Sequence, residues 1–115
     1  VVESCHDGDT CTVLLDQGLK EFRRMNIRLY GINAPELATP VGPPSRDHLL
    51  ALLGALPAHV VVRTHKDQAD KYGERWEGTL WLESEGAWNA DYQFMPGRLS
   101  INDRMVADGF AVAYP

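Results

Sequence analysis

The stretch Glu21-Phe22-Arg23-Arg24-Met25-Asn26-Ile27-Arg28-Leu29-Tyr30-Gly31-Ile32 decides the fold. Met25, Ile27 and Leu29 alternate with Asn26, Arg28 and Tyr30, which is the period of a strand with one buried face. Read as a strand, the segment puts Arg28 on the face opposite Ile27 and Leu29.

Shorter strand signals precede it. Val1 to Cys5 reads as the end of a strand, interrupted by Asp7-Gly8-Asp9. Thr10 to Leu15 is β-rich, and Asp16-Gln17-Gly18 is a turn. After it, Asn33 to Pro44 holds four prolines and is irregular. Ser45 is placed to cap a helix. Leu49, Leu52, Leu53 and Leu56 give that helix one apolar stripe, and Pro57 closes it. His59 to His65 is a β-branched strand, Lys66 to Trp76 a charged turn region, and Gly78 to Leu82 another strand. Ser84 to Leu99 has no clear period and reads as a long ordered loop carrying Trp88, Tyr92 and Phe94. Ser100 to Asp103 resembles a capping box with Asp in place of Glu. Ile101, Met105 and Val106 form the apolar face of the helix it opens, and Gly109 ends that helix. Phe110 to Tyr114 is extended. The order is three strands, a helix, two strands and a helix. It suits an α+β domain, a five-stranded OB-type Greek-key barrel with helices packed on it, over residues 1–115.

The 115 residues are 44% hydrophobic and 23% charged, an ordinary globular composition with room for one domain. No apolar run is long enough to cross a bilayer, and Val1-Val2-Glu3 is not the basic start of a signal peptide. The net charge of −5 argues against a non-specific DNA coat, which works by neutralising phosphates. It leaves room for a site with a local positive field and a metal ion. Cys5 and Cys11 are too few for a disulfide scaffold and read as reduced thiols in a strand. The four histidines lack partners at metal-ligand spacing, and only His6 lies beside a candidate motif.

Three segments carry chemistry-bearing residues. Asp7-Gly8-Asp9-Thr10 sets two carboxylates around a glycine. Arg28-Leu29-Tyr30-Gly31-Ile32-Asn33-Ala34-Pro35-Glu36 runs from a strand arginine to a carboxylate behind a proline. Asp70-Lys71-Tyr72-Gly73-Glu74-Arg75 is charged. Each alone has an ordinary explanation, as a surface turn, a solvated strand face and a charged hairpin. With Ile101-Asn102-Asp103-Arg104-Met105-Val106-Ala107-Asp108-Gly109-Phe110-Ala111, their order and spacing resemble the thermonuclease (staphylococcal nuclease-like) family over nearly the whole chain.

The resemblance implies a calcium-dependent endonuclease acting on DNA and RNA, monomeric, preferring single strands and leaving the phosphate on the 3′ side of the cut. It implies Asp9 and Asn33 as calcium ligands through side-chain oxygens, and Ala34 through its backbone carbonyl. Glu36 would orient or deprotonate the attacking water. Arg28 would bind the phosphate in a forked geometry that lysine cannot reproduce, and Arg75 would meet the charge that develops in the transition state. Lys71, Tyr72 and Tyr114 would lie along the nucleic acid.

The chain departs from the family pattern in two places. Asn33 stands where the family has Asp, so weaker metal affinity is expected. Counting on from Gly73 puts Glu74 in the second arginine's place, whereas counting back from the strand puts Arg75 there. The second register needs one inserted residue in a turn, where insertions are tolerated. A binding module on the same OB scaffold, holding single strands without chemistry, is the alternative. Keeping Asp9, Arg28 and Glu36 together favours the enzyme. The aromatic residues between Ser84 and Leu99 offer faces for stacking on bases, or fill a satellite core.

Overall fold

The computed structural model describes residues 1–65 and 75–114, Arg75 by its backbone alone. The expected strands are present with two shifts: the segment read as one strand to Ile32 breaks after Leu29 at a Tyr30–Gly31 turn, and Arg75 and Trp76, expected in a turn, open a strand. β1 (Val2–Asp7), β2 (Thr10–Asp16) and β3 (Phe22–Leu29) form an antiparallel meander. The short β4 (Ile32–Asn33) follows, then α1 (Gly42–Leu53), β5 (Val60–His65) and β6 (Arg75–Leu82). β6 pairs parallel with β3 and antiparallel with β5, giving one mixed sheet in the order β1-β2-β3-β6-β5. A parallel pair needs a long crossover, and α1 with β5 supplies it.

The alternation read in β3 holds. Met25, Ile27 and Leu29 are buried, and Arg28 faces the other way. They pack with Val13 and Leu80 from the sheet, Leu49 and Leu53 from α1, and Ile101 and Met105 from α2 (Ile101–Ala107).

The expected barrel is not closed. Val2 at the β1 edge exchanges two backbone hydrogen bonds with Ala58, of 2.8 and 3.0 Å, and this is a single bridge rather than a ladder. What the structure shows is a small α+β fold with an open five-stranded mixed sheet and two helices.

α1 differs from expectation at both ends. It starts at Gly42, with prolines in its first turn, where a missing N–H costs nothing. Ser45 is therefore inside the helix. Its buried hydroxyl donates to the Phe110 carbonyl at 2.7 Å and caps nothing. The helix ends at Leu53, so Leu56 lies beyond it. α2 is capped as expected, with the Ser100 side chain accepting from the Asp103 amide at 3.1 Å.

The segment 84–99 is more ordered than a loop. A 3-10 turn (Glu83–Glu85) leads into a hairpin of β7 (Gly86–Trp88) and β8 (Phe94–Pro96). Asn89 Oδ1 accepts from the amides of Asp91 and Gln93, both at 2.9 Å, and so builds the turn that periodicity could not reveal. The C-terminal β9 (Val112–Ala113) pairs with β4. Cys5 and Cys11 face each other across β1 and β2 as free thiols, their sulfurs 2.8 Å apart. No helix among the described residues is long and apolar enough to cross a membrane.

Asn102 ties the helix to the sheet. Its Oδ1 accepts from the Leu80 amide at 3.1 Å, and its Nδ2 donates to the carbonyls of Tyr30 and Gly78 at 2.9 and 3.0 Å. At 2% exposure, water cannot take over these bonds. Asn102→Ala should lower the free energy of unfolding by about 3 kcal/mol, read from urea denaturation. A loss within about 0.5 kcal/mol, the range of an ordinary surface change, would show that the amide is not a structural tie.

Candidate active site

Asp9 follows β1 in the turn to β2. Gly8 is needed there because a Cβ would collide with the Ser45 hydroxyl of α1. The turn therefore lies against the helix, and Asp9 is buried beneath it. The Asp9 carbonyl accepts from the Leu29 amide at 2.7 Å. Its Oδ2 accepts from the Ala34 amide at 2.9 Å, and its Oδ1 from the Thr10 hydroxyl at 3.1 Å. The Asp9 amide in turn donates to Asp7 Oδ1 at 3.1 Å.

Arg28 stands opposite Thr10 on β2 and Glu77 on β6. Its Nη2 donates to Asn33 Oδ1 at 3.3 Å and lies 3.8 Å from Asp9 Oδ2. Its Nη1 is 3.5 Å from Glu77 Oε1. The β4–β9 pairing brings the C-terminal segment here, so the Tyr114 ring lies 5.6 Å from the Arg28 Cζ. Stacking of this kind holds a guanidinium in one plane.

Glu36 is exposed and lines an open cleft with Asp7, Thr10 and Asn26, among others. The loop that carries it folds back on α1. The Glu36 carbonyl accepts from the Thr39 amide and hydroxyl at 3.0 and 2.6 Å. Gly42 permits this, since a Cβ there would collide with the same carbonyl.

The structure thus brings together Asp9, Arg28, Asn33, Ala34 and Tyr114, with Glu36 on the adjoining cleft. Arg75 enters only as the first residue of β6, paired with Asn26. Lys71, Tyr72 and Glu74 lie outside the described residues, so the choice between Arg75 and Glu74 is one of sequence register. Two residues of the cluster were not singled out by their own motifs. Asp7 had been noted only as part of the Asp-Gly-Asp turn. Glu77 carried no signal, because its place beside Arg28 depends on the parallel register of two strands far apart in sequence. His6 also lines the cleft. His48 pairs with Asp108 at 2.7 Å and stacks on Phe110, and His65 stacks on Tyr30.

The Asp9 carboxylate is met by the Ala34 amide, the Thr10 hydroxyl and the Arg28 guanidinium, and its own oxygens and that of Asn33 are of the hard class that calcium takes. Among the described residues no three His, Cys, Asp or Glu side chains form a metal-binding group. A cation would therefore draw on the Asn33 amide oxygen, now bonded to Arg28, and on backbone carbonyls besides Asp9. It is the Ala34 amide, rather than its carbonyl, that meets the Asp9 carboxylate here.

No family model matches the chain, and no curated protein matches it in sequence.

Burial pushes the Asp9 carboxyl above its usual range, and the neighbouring Asp7 adds to the rise. The Ala34 amide and the Arg28 guanidinium pull the other way without cancelling it. A carboxyl raised by folding contributes stability at pH below its unfolded value, and that contribution is lost as pH rises through the raised folded value. In metal-free protein, Asp9→Asn should therefore melt above wild type at pH 7. The two should converge as pH falls toward about 3.9, the unfolded value. A pH-independent difference between them in thermal melts would contradict this account of Asp9.

Proposed function

We propose that this chain is a calcium-dependent endonuclease of the thermonuclease type, built on an OB-like sheet, that hydrolyses phosphodiester bonds of DNA and RNA and leaves 3′-phosphates. One observation carries the reading. Two segments far apart in sequence, Asp7–Thr10 and Arg28–Glu36, meet so that Arg28 lies within hydrogen-bond reach of Asn33 and ion-pair reach of Asp9, in the order and spacing that resemble that family.

Each residue has work suited to its surroundings. Arg28 presents a planar fork of donors to a phosphate, with Tyr114 against its face. Asp9, Asn33 and the Ala34 carbonyl would hold calcium, which when bound supplies positive charge against the phosphate oxygens. Glu36, exposed on the cleft, takes a proton from the attacking water. The water oxygen bonds to phosphorus, the bond to the 5′ oxygen breaks, that oxygen takes a proton from solvent, and a 3′-phosphate and a 5′-hydroxyl result. Arg75 would stabilise the charge on the phosphoryl oxygens as the bond breaks.

A second reading has its own observation. Glu77 already pairs with Arg28, and so competes with phosphate for it. That favours a catalytically weak or inactive OB-type module that binds single strands. The two readings separate on Glu36. In the enzyme, Glu36→Gln should lower single-turnover cleavage of single-stranded DNA by about 100-fold or more with an unchanged circular dichroism spectrum. Equal rates for variant and wild type would exclude the proposed base. Arg75→Ala should also slow cleavage and Glu74→Ala should not. The reverse would move the second arginine's position by one residue.

A further inference from the structure

The outward face of the sheet does not stop at Arg28. Side chains alternate along a strand, and on β6 Gly78 and Leu80 are buried while Glu77, Thr79 and Trp81 point the other way. Glu77 stands beside Arg28 on β3, Thr79 beside Arg63 on β5, and Trp81 beside Val61. From Glu77 to Trp81 is four residues, about 13 Å at the strand rise of about 3.3 Å per residue. One surface therefore runs from the Arg28 guanidinium to an aromatic groove of about 530 Å³.

That groove lies between β5, β6 and the β7–β8 hairpin. Trp81 and Trp88 line it, and the Arg63 guanidinium lies 5.6 Å from the centre of the Trp81 ring. Trp88 is 53% exposed, which is far more than a residue filling a satellite core would be. Phe94 meets it edge-on, with ring centres 5.3 Å apart, and fixes its plane. A second cleft, reaching from Tyr30 to Trp81, shares Arg63 with the groove, so the surface is continuous.

Flat apolar faces alternating with guanidinium groups are the chemistry of single-stranded nucleic acid. Bases stack on aromatic rings whatever their identity, and arginine meets the phosphates between them. An apolar peptide would leave Arg63 facing it without a partner charge. We propose that this face is an extended subsite for single-stranded nucleic acid, in which bases stack on Trp81 and Trp88 and Arg63 contacts the backbone. The direction of the strand, with one end at Arg28, rests on the phosphodiesterase reading above. Binding in the groove does not. Substrates long enough to reach Trp81 should therefore bind more tightly than those that cover Arg28 alone.

The test is tryptophan emission and fluorescence anisotropy with oligothymidylates of 3 and 12 nucleotides in calcium buffer, alongside cleavage of the same strands. Wild type should bind the 12-mer at least tenfold more tightly than the 3-mer, with quenched emission. Trp88→Ala and Arg63→Ala, both changes at exposed positions, should each weaken 12-mer binding about tenfold. Quenched binding without cleavage would support the subsite and remove the nuclease reading. Cleavage with equal 12-mer affinity in wild type and both variants would leave the nuclease reading and overturn the subsite. Emission that responds to an amphipathic peptide and not to the 12-mer would give the groove to a protein partner and overturn it as well.

Discussion

Asp9, through its buried carboxylate and its backbone, ties the turn after β1 to the end of β3 and to the loop that follows it. Its Oδ2 holds the Ala34 amide, its backbone oxygen holds the Leu29 amide, and its own amide is held by Asp7. The bond from the Ala34 amide to the carboxylate, being to a charged group, is worth roughly 1.5–3 kcal/mol, and the backbone bond from Leu29 about 1 kcal/mol. They fix the loop after β3 against the turn after β1, and with it Asn33 and the start of the path to Glu36. Arg28 lies between these segments and reaches toward both. The cost is visible in the same residue, because burial raises the carboxyl above its usual range. An arrangement that keeps an ion out of water and only partly compensates it with local hydrogen bonds is common where an incoming charge completes the site.

The electrostatics of the cluster point the same way. Among the described residues, Asp9 and Glu77 lie within 3.8 Å of the Arg28 guanidinium, and Asp7 holds the Asp9 amide. An excess of carboxylate repels a phosphate, and a divalent cation would reverse that repulsion locally. The chain's net charge of −5 is consistent with recognition that depends on a local field rather than on an overall basic surface. Away from the cluster, Arg63 and the tryptophans of the sheet face offer contacts of a different kind, with affinity drawn from stacking as much as from charge.

Local patterns were the legible part of the sequence. The two-residue period of Met25, Ile27 and Leu29 located β3 and the direction of Arg28, and both hold in the structure. Ser100 and Asp103 located the start of α2, because a cap is a contact between near neighbours. Features that depend on distant chain were not legible. Ser45 looked like a cap, but its hydroxyl is taken by the Phe110 carbonyl. The hairpin inside 84–99 depends on one asparagine side chain and not on periodicity. Glu77 sits beside Arg28 only because β6 runs parallel to β3 in a particular register. Barrel closure was expected from strand order alone, and the edge pairing stops at the single Val2–Ala58 bridge.

The central claim is that this cluster cuts a phosphodiester with the help of calcium. Digestion of a 5′-labelled single-stranded DNA with purified protein, in calcium and in excess chelator, tests it most directly. The account predicts shortened strands ending in a 3′-phosphate in calcium, no cleavage in chelator, and recovery when calcium is restored. Intact DNA in calcium, or cleavage that persists unchanged in chelator, would contradict it.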